Sequence, residues 1–129
     1  MNAIKPFLVI TFTILLLDVV WLTFRNNAHQ SLFQSIQKSP LQARLIPAIG
    51  VYLLIPAAVY LGAVQPATSL LDGLKRAALV GFFLYAFYDL TNYATLTNWT
   101  LSMTLTDITW GTFLCTVAAA AGLYYKNII

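Results

Sequence analysis

Apolar residues run through this chain in stretches long enough to cross a bilayer, and polar side chains break those stretches at only a few points. A crossing helix needs about 20 mostly apolar residues. Four stretches meet that length: residues 6–24, 45–64, 77–97 and 105–125. Pro6 suits the first turn of a helix, where its missing N–H is not needed. The second stretch holds Pro47 near its start and Pro56 in its interior. Pro56 removes one backbone hydrogen bond and its ring clashes with the preceding turn, which predicts a kink. Neighbouring helices can re-satisfy the freed carbonyl, and Pro66 helps to end the span. The third stretch is the most polar, with Tyr85, Tyr88, Asp89, Thr91, Asn92 and Tyr93 in quick succession. Such a run belongs inside a bundle. Gly111, Cys115, Ala118, Ala119 and Gly122 recur in the fourth at three- and four-residue steps, a stripe of small side chains that lets a neighbouring backbone approach closely. The predicted fold is all-α: a four-helix transmembrane bundle, kinked at Pro56, forming a single membrane domain over residues 1–129.

Only one connection is long, residues 25–44. Its segment HQSLFQSIQKSP puts Leu32, Phe33 and Ile36 near one helical face, which suits a short helix lying in the headgroup layer. A solvated loop is the competing reading. The link around Asn98–Thr104 carries no charge, and its Trp99 fits an interfacial anchor. Asn98-Trp99-Thr100 matches a glycosylation acceptor pattern, a motif too short to carry weight alone.

Composition narrows the solvent. The 129 residues are 60% hydrophobic and 9% charged, with a mean hydropathy of +0.77, against about 25% charge for a soluble domain. The four acidic residues are all aspartates, and Asp18, Asp89 and Asp107 fall within apolar stretches while Asp72 does not. The basic residues flank the stretches, so the net charge of +3 reads as a membrane-edge signature. A basic stripe with interleaved aromatics is missing, which excludes nucleic acid as a partner. The apolar run after Lys5 resembles a signal peptide. Asp18 and Trp21 occupy the place of a cleavage site, however, and an uncleaved first span is expected. If both termini are cytoplasmic, Lys5, Lys75, Arg76 and Lys126 lie inside and Arg25, Lys38 and Arg44 outside. That bias leans to cytoplasmic termini and leaves orientation open. The expected setting is multi-pass in a membrane, the inner one in a bacterium. Expected partners are the lipid bilayer and further copies of the chain, since four short helices make a small cage.

The candidate chemistry lies with the three embedded aspartates. An ionised carboxylate at the centre of a bilayer costs ~2.5–3.5 kcal/mol on insertion scales, so it faces a bundle interior or a wet cavity. In an antiparallel four-crossing bundle, the end of span one, the end of span three and the start of span four share one side. Asp18 precedes Arg25 by seven residues, which places it ~10 Å below that surface at ~1.5 Å per residue. Asp89 precedes Asn98 by nine, or ~13 Å by the same rise. Asp107 stands near the start of its own span. All three are expected at a common level. Donors accompany them: Trp21 is three residues from Asp18, Trp110 three from Asp107, and Tyr85, Asn92 and Tyr93 share a face with Asp89. The strings D-V-V-W-L-T-F and D-I-T-W-G-T-F match, but they join spans one and four and do not follow the order of a tandem duplication. The candidate polar site is therefore Asp18, Trp21, Tyr85, Tyr88, Asp89, Asn92, Asp107 and Trp110, with Gly111, Cys115 and Gly122 as packing positions.

Three functions remain open: a cation, proton or small-solute site of transporter or channel type, buried polar residues that only hold helices together, and a lipid-modifying enzyme. With no lysine in a span, a retinal Schiff base is excluded. His29 lies in the first connection, read as solvated or interfacial, with a proton relay at the mouth as the alternative. A His-ligated haem or zinc site within the bundle is thus not expected. Aspartates can hold Mg²⁺ or Ca²⁺, but catalytic aspartate motifs place two carboxylates on one helix, and Asp89 is followed by Asn92. No metal or other cofactor is assigned, and an enzyme is the weaker reading. Cys115 is read as a small apolar packing residue.

L-D-V-V-W-L, Y-D-L-T-N-Y-A-T-L and T-D-I-T-W-G-T together resemble the small bacterial and viral membrane proteins grouped as domain-of-unknown-function family 2177. The similarity covers essentially the whole chain. It implies a four-helix integral membrane protein and no particular activity. The matching positions are Asp18, Trp21, Tyr88, Asp89, Thr91, Asn92, Asp107, Trp110 and Gly111.

Overall fold

The computed structural model describes residues 2–127, and among these it is all-helical, with no strand. Met1, Ile128 and Ile129, the ends of the single unit expected from the sequence, lie outside the described residues. In chain order come α1 (Ile4–Phe24), α2 (Asn26–Gln37), α3 (Leu45–Val59), α4 (Leu70–Thr95) and α5 (Leu101–Tyr125). A π-helical segment, Tyr60–Val64, continues α3. Three of these elements are long and apolar enough to cross a membrane: α1, α3 with its π continuation (Leu45–Val64), and α5. Although α4 has 26 residues, it is not among the three. Asp72, Lys75 and Arg76 at its start and the polar run from Tyr85 to Tyr93 dilute the apolar content of the third stretch.

The helices are greasiest on the outside. Ile46 is 82% exposed and Phe87 78%, and every long helix carries further large hydrophobics in that outward position. Contiguous apolar surface of this extent is a liability in water and no penalty against hydrocarbon. The interior mixes a few large aliphatic side chains, Ile10, Ile14, Leu114 and Leu123, with small ones, among them Ala63, Ala77, Ala118 and Ala119. Between α4 and α5 the backbones nearly touch. A Cβ on Gly81 would lie 2.5 Å from the carbonyl oxygen of Gly111, and one on Gly111 would overlap the Tyr85 ring. Gly122 meets Ile10 of α1 in the same way, at 2.8 Å, and Cys115 is fully buried. Helices without a hydrophobic drive to associate use such close contact.

Local chemistry sets the ends. Ser69 Oγ accepts the Asp72 N–H at 3.1 Å while Asp72 accepts the Thr68 N–H at 3.0 Å, a reciprocal cap that starts α4. Thr100 Oγ1 accepts the Met103 N–H at 3.0 Å and starts α5. Pro56 lies inside α3, and four residues later the winding loosens: Gln65 N–H donates to Tyr60 O at 2.7 Å, a five-residue step. The carbonyls left over there are taken up by Lys126, whose Nζ donates to the oxygens of Val64 (2.9 Å), Gln65 (2.6 Å) and Ala67 (3.1 Å).

The long first connection is not a plain loop. Arg25 ends α1 and starts α2 with a single non-helical residue, and α2 then stops at Lys38 in the left-handed region, φ 61°. Leu32 of α2 packs with Trp99 and Met103, with Phe33 and Ile36 beside them. The apolar face that suggested contact with headgroups is thus covered by the chain's own α4–α5 link. This places α2 at the end of the molecule where α1 and α4 finish and α5 begins.

Candidate functional site

Asp18 is 8% exposed, near the end of α1. Both of its oxygens have donors from other helices. Tyr52 of α3 gives its hydroxyl to Oδ2 at 2.7 Å, and Trp110 of α5 gives its indole N–H to Oδ1 at 2.8 Å. The Trp110 ring stacks on Trp21, centroids 4.5 Å apart and 5° from parallel. The Arg25 guanidinium carbon lies 5.6 Å from the Trp21 centroid. The sequence had set Trp110 beside Asp107, its neighbour three residues back. The fold sends it across to α1, because side chains at that spacing share a face without having to meet.

Asp89 is in the opposite condition. It is fully buried, and neither carboxyl oxygen has a hydrogen-bond partner. The donors expected around it do not reach it: Tyr85 lies over Gly111, Tyr88 is half exposed with its ring edge-on to Trp99 at 6.0 Å, and neither Asn92 nor Tyr93 bonds to its carboxylate. What adjoins Asp89 is Asp107, whose carboxyl lies within reach of its own. Two of the three embedded aspartates are therefore brought together, while Asp18 is held by its own donors. Among the described residues no group of three or more His, Cys, Asp or Glu side chains is placed to hold a metal ion.

Asp107 has a second neighbour that the sequence reading left out of the site. His29 of α2 places Nε2 3.9 Å from Asp107 Oδ1, and its side chain is only 13% exposed. Of the solvated and interfacial positions expected for it, the solvated one does not hold. Its Nδ1 lies 3.0 Å from the Arg25 carbonyl oxygen. A carbonyl only accepts, so Nδ1 carries a proton in this bond and Nε2 is the nitrogen turned to the carboxylate. A separation of 3.9 Å exceeds a direct hydrogen bond and lies within reach of an ion pair when the imidazole is protonated. His29, Asn26, Tyr88 and Asp107 line an open cleft of about 350 Å³, which connects the carboxyl pair with the surface beside α2. Tyr52 was missed as well. Its signal was one of only two hydroxyls, with Tyr60, in an otherwise apolar stretch, and His29's was its four-residue spacing from Arg25 at a helix start.

The family model described as a predicted membrane protein (DUF2177) matches residues 3–124. The chain belongs to this family. Its members are predicted membrane proteins of unknown function, in keeping with apolar helices whose large side chains face outward. No curated protein and no solved structure matches the chain.

Proposed function

We propose that this DUF2177 protein is a multi-pass membrane protein that carries protons, transporter- or channel-like, through the carboxyl pair Asp89–Asp107. In this reading α1, α3 with its π segment, α4 and α5 cross the bilayer as a four-helix bundle, with the second crossing kinked at Pro56. For α4 the support is length and facing. Twenty-six residues rise ~39 Å, Phe83 and Phe87 point outward, and Asp89 points inward.

The observation that carries the function is Asp89, wholly buried with two oxygens that no protein donor satisfies. A buried acceptor without a donor is rare in folded proteins and costs stability. Set against Asp107, it is accommodated by a proton shared between the two carboxyls or by a cation between them. Among the described residues no group of three or more His, Cys, Asp or Glu side chains is placed to hold a metal ion, which favours the proton. His29 lines the cleft beside Asp107 with Nε2 turned to that carboxylate, where an imidazole can take up and release a proton.

Asp18 has a different role in this reading. With a donor on each oxygen, it acts as a structural tie between three helices, the alternative weighed from the sequence for all three aspartates.

The test is proton flux into liposomes holding the purified protein, followed with a pH-sensitive dye under an imposed gradient. Asp89→Asn is expected to abolish the flux and to leave the helical spectrum and the elution volume unchanged. Flux equal to that of the unaltered protein in this variant would remove the proposal.

A further inference from the structure

Arg25 stands at the joint of two grooves on the outer face of the bundle. The upper groove, about 410 Å³, lies between α2 and the start of α5. Its polar lining is Arg25, Ser31, Ser35, Asn98, Thr100 and Ser102, with no carboxylate. The Arg25 Nε is buried and has no acceptor. Guanidinium is always charged and matches the oxygens of a phosphate, and α5 adds the positive end of a 25-residue helix at the same place. Asp107, whose charge Arg25 feels, is turned to His29 and Asp89 instead. The lower groove, about 470 Å³, is formed by Trp21 of α1 with Leu105, Thr109, Trp110 and Phe113 of α5. It is almost wholly apolar, and Leu105 and Phe113 are more than half exposed along it.

The two grooves follow one another along the same helix faces. Arg25 is one turn beyond Trp21 on α1, and Ser102, Thr106, Thr109 and Phe113 descend α5 at three- and four-residue steps, over ~16 Å from first to last.

We propose that this paired groove binds one anionic phospholipid, its phosphate held by Arg25 and the hydroxyls beside the start of α5, its acyl chain laid along Trp21, Trp110 and Phe113. A soluble phosphate would use only the upper half. The apolar continuation, open to the side where lipid chains lie, is what selects a lipid. The lack of any carboxylate in the upper groove selects an anionic headgroup, since the amine of a zwitterionic one finds no counter-charge there.

The experiment uses tryptophan fluorescence in bilayers. Trp21 and Trp110 line the groove, while Trp99 is 4% exposed elsewhere, so a Trp99→Phe background isolates the signal. The protein is reconstituted in phosphatidylcholine containing a fixed mole fraction of either phosphatidylglycerol or phosphatidylcholine with brominated acyl chains. Brominated phosphatidylglycerol is expected to quench with about fivefold higher relative affinity, the size of one basic residue's preference for anionic lipid. Arg25→Gln should bring the ratio to one. Because Arg25 also packs on Trp21, Ser102→Leu serves as a second variant that fills the upper groove and leaves the arginine in place; it should lower the ratio as well. Equal quenching by the two lipids in the unaltered protein overturns the proposal, as does a preference that survives both substitutions. Recovery of fluorescence on adding millimolar inorganic phosphate would assign the groove to a soluble anion and overturn it too.

Discussion

Trp110 on α5 donates its indole N–H to Asp18 on α1 at 2.8 Å, passing over Asp107, the carboxylate three residues away on its own helix. Tyr52 from α3 completes the same carboxylate at 2.7 Å. One side chain thus joins three helices. Asp18→Ala would leave both donors without an acceptor, and a destabilisation of about 1–3 kcal/mol is expected, measured by unfolding in mixed micelles of increasing SDS fraction. Asp18→Asn should lose less, because its amide oxygen still accepts one bond. A double-mutant cycle with Trp110→Phe should return a coupling of about 0.5–2 kcal/mol. A coupling near zero would mean the bond adds nothing to the fold.

Close approach of α4 and α5 depends on Gly111, where a Cβ would overlap the Tyr85 ring. Gly111→Ala is expected to destabilise by about 1–3 kcal/mol through overpacking. Gly50 provides the control, since nothing lies within 4 Å of a Cβ there. Gly50→Ala should be neutral or stabilising by up to ~1 kcal/mol from helix propensity alone. Equal behaviour of the two variants would contradict the α4–α5 contact.

Acid sensitivity is expected at the start of α4, outside the apolar core. Asp72 accepts the Thr68 N–H and the Arg76 guanidinium, and these bonds, the backbone one foremost, lower its pKa from the ordinary value of 3.8. A carboxylate whose folded pKa is depressed stabilises the fold fully above the unfolded value, and the benefit fades as pH falls through the folded one. The gap in melting temperature between the unaltered protein and Asp72→Ala should therefore be constant above about pH 5 and close progressively below about pH 4. A gap that is constant down to pH 2 would show that charge at Asp72 does not matter.

His29 makes a prediction about rate. With Nδ1 engaged by the Arg25 carbonyl and Nε2 facing Asp107, it lines the same cleft as that member of the carboxyl pair. In His29→Gln, proton flux should fall roughly tenfold or more, general acid–base groups contributing about 10²–10⁴ where they transfer a proton directly. A flux profile superimposable on that of the unaltered protein would make His29 a bystander.

Much of the architecture was legible because it rests on local properties. Hydropathy over some twenty residues marks a helix that can cross a bilayer, and the spacing of Gly111, Cys115 and Gly122 marks a close-packed face; both depend only on near neighbours along the chain. The depth argument needed only helical rise and antiparallel order, and its expectation was a common level for Asp18, Asp89 and Asp107. Legibility ended with α2. An amphipathic dozen residues is equally suited to lipid headgroups and to a protein surface, and Trp99 and Met103 decide between them from some seventy residues away.

From sequence alone came the helical, lipid-facing character of the chain and the rule that its embedded aspartates must turn inward, because burial of charge in hydrocarbon is prohibitive wherever it occurs. Tertiary packing alone decided which partner each aspartate meets: Asp18 two donors, Asp89 no donor but the Asp107 carboxyl, Asp107 also a histidine from another helix. Those assignments depend on the rotation of each helix about its axis and on a few ångströms of side-chain reach, quantities that residue spacing along a single helix does not contain.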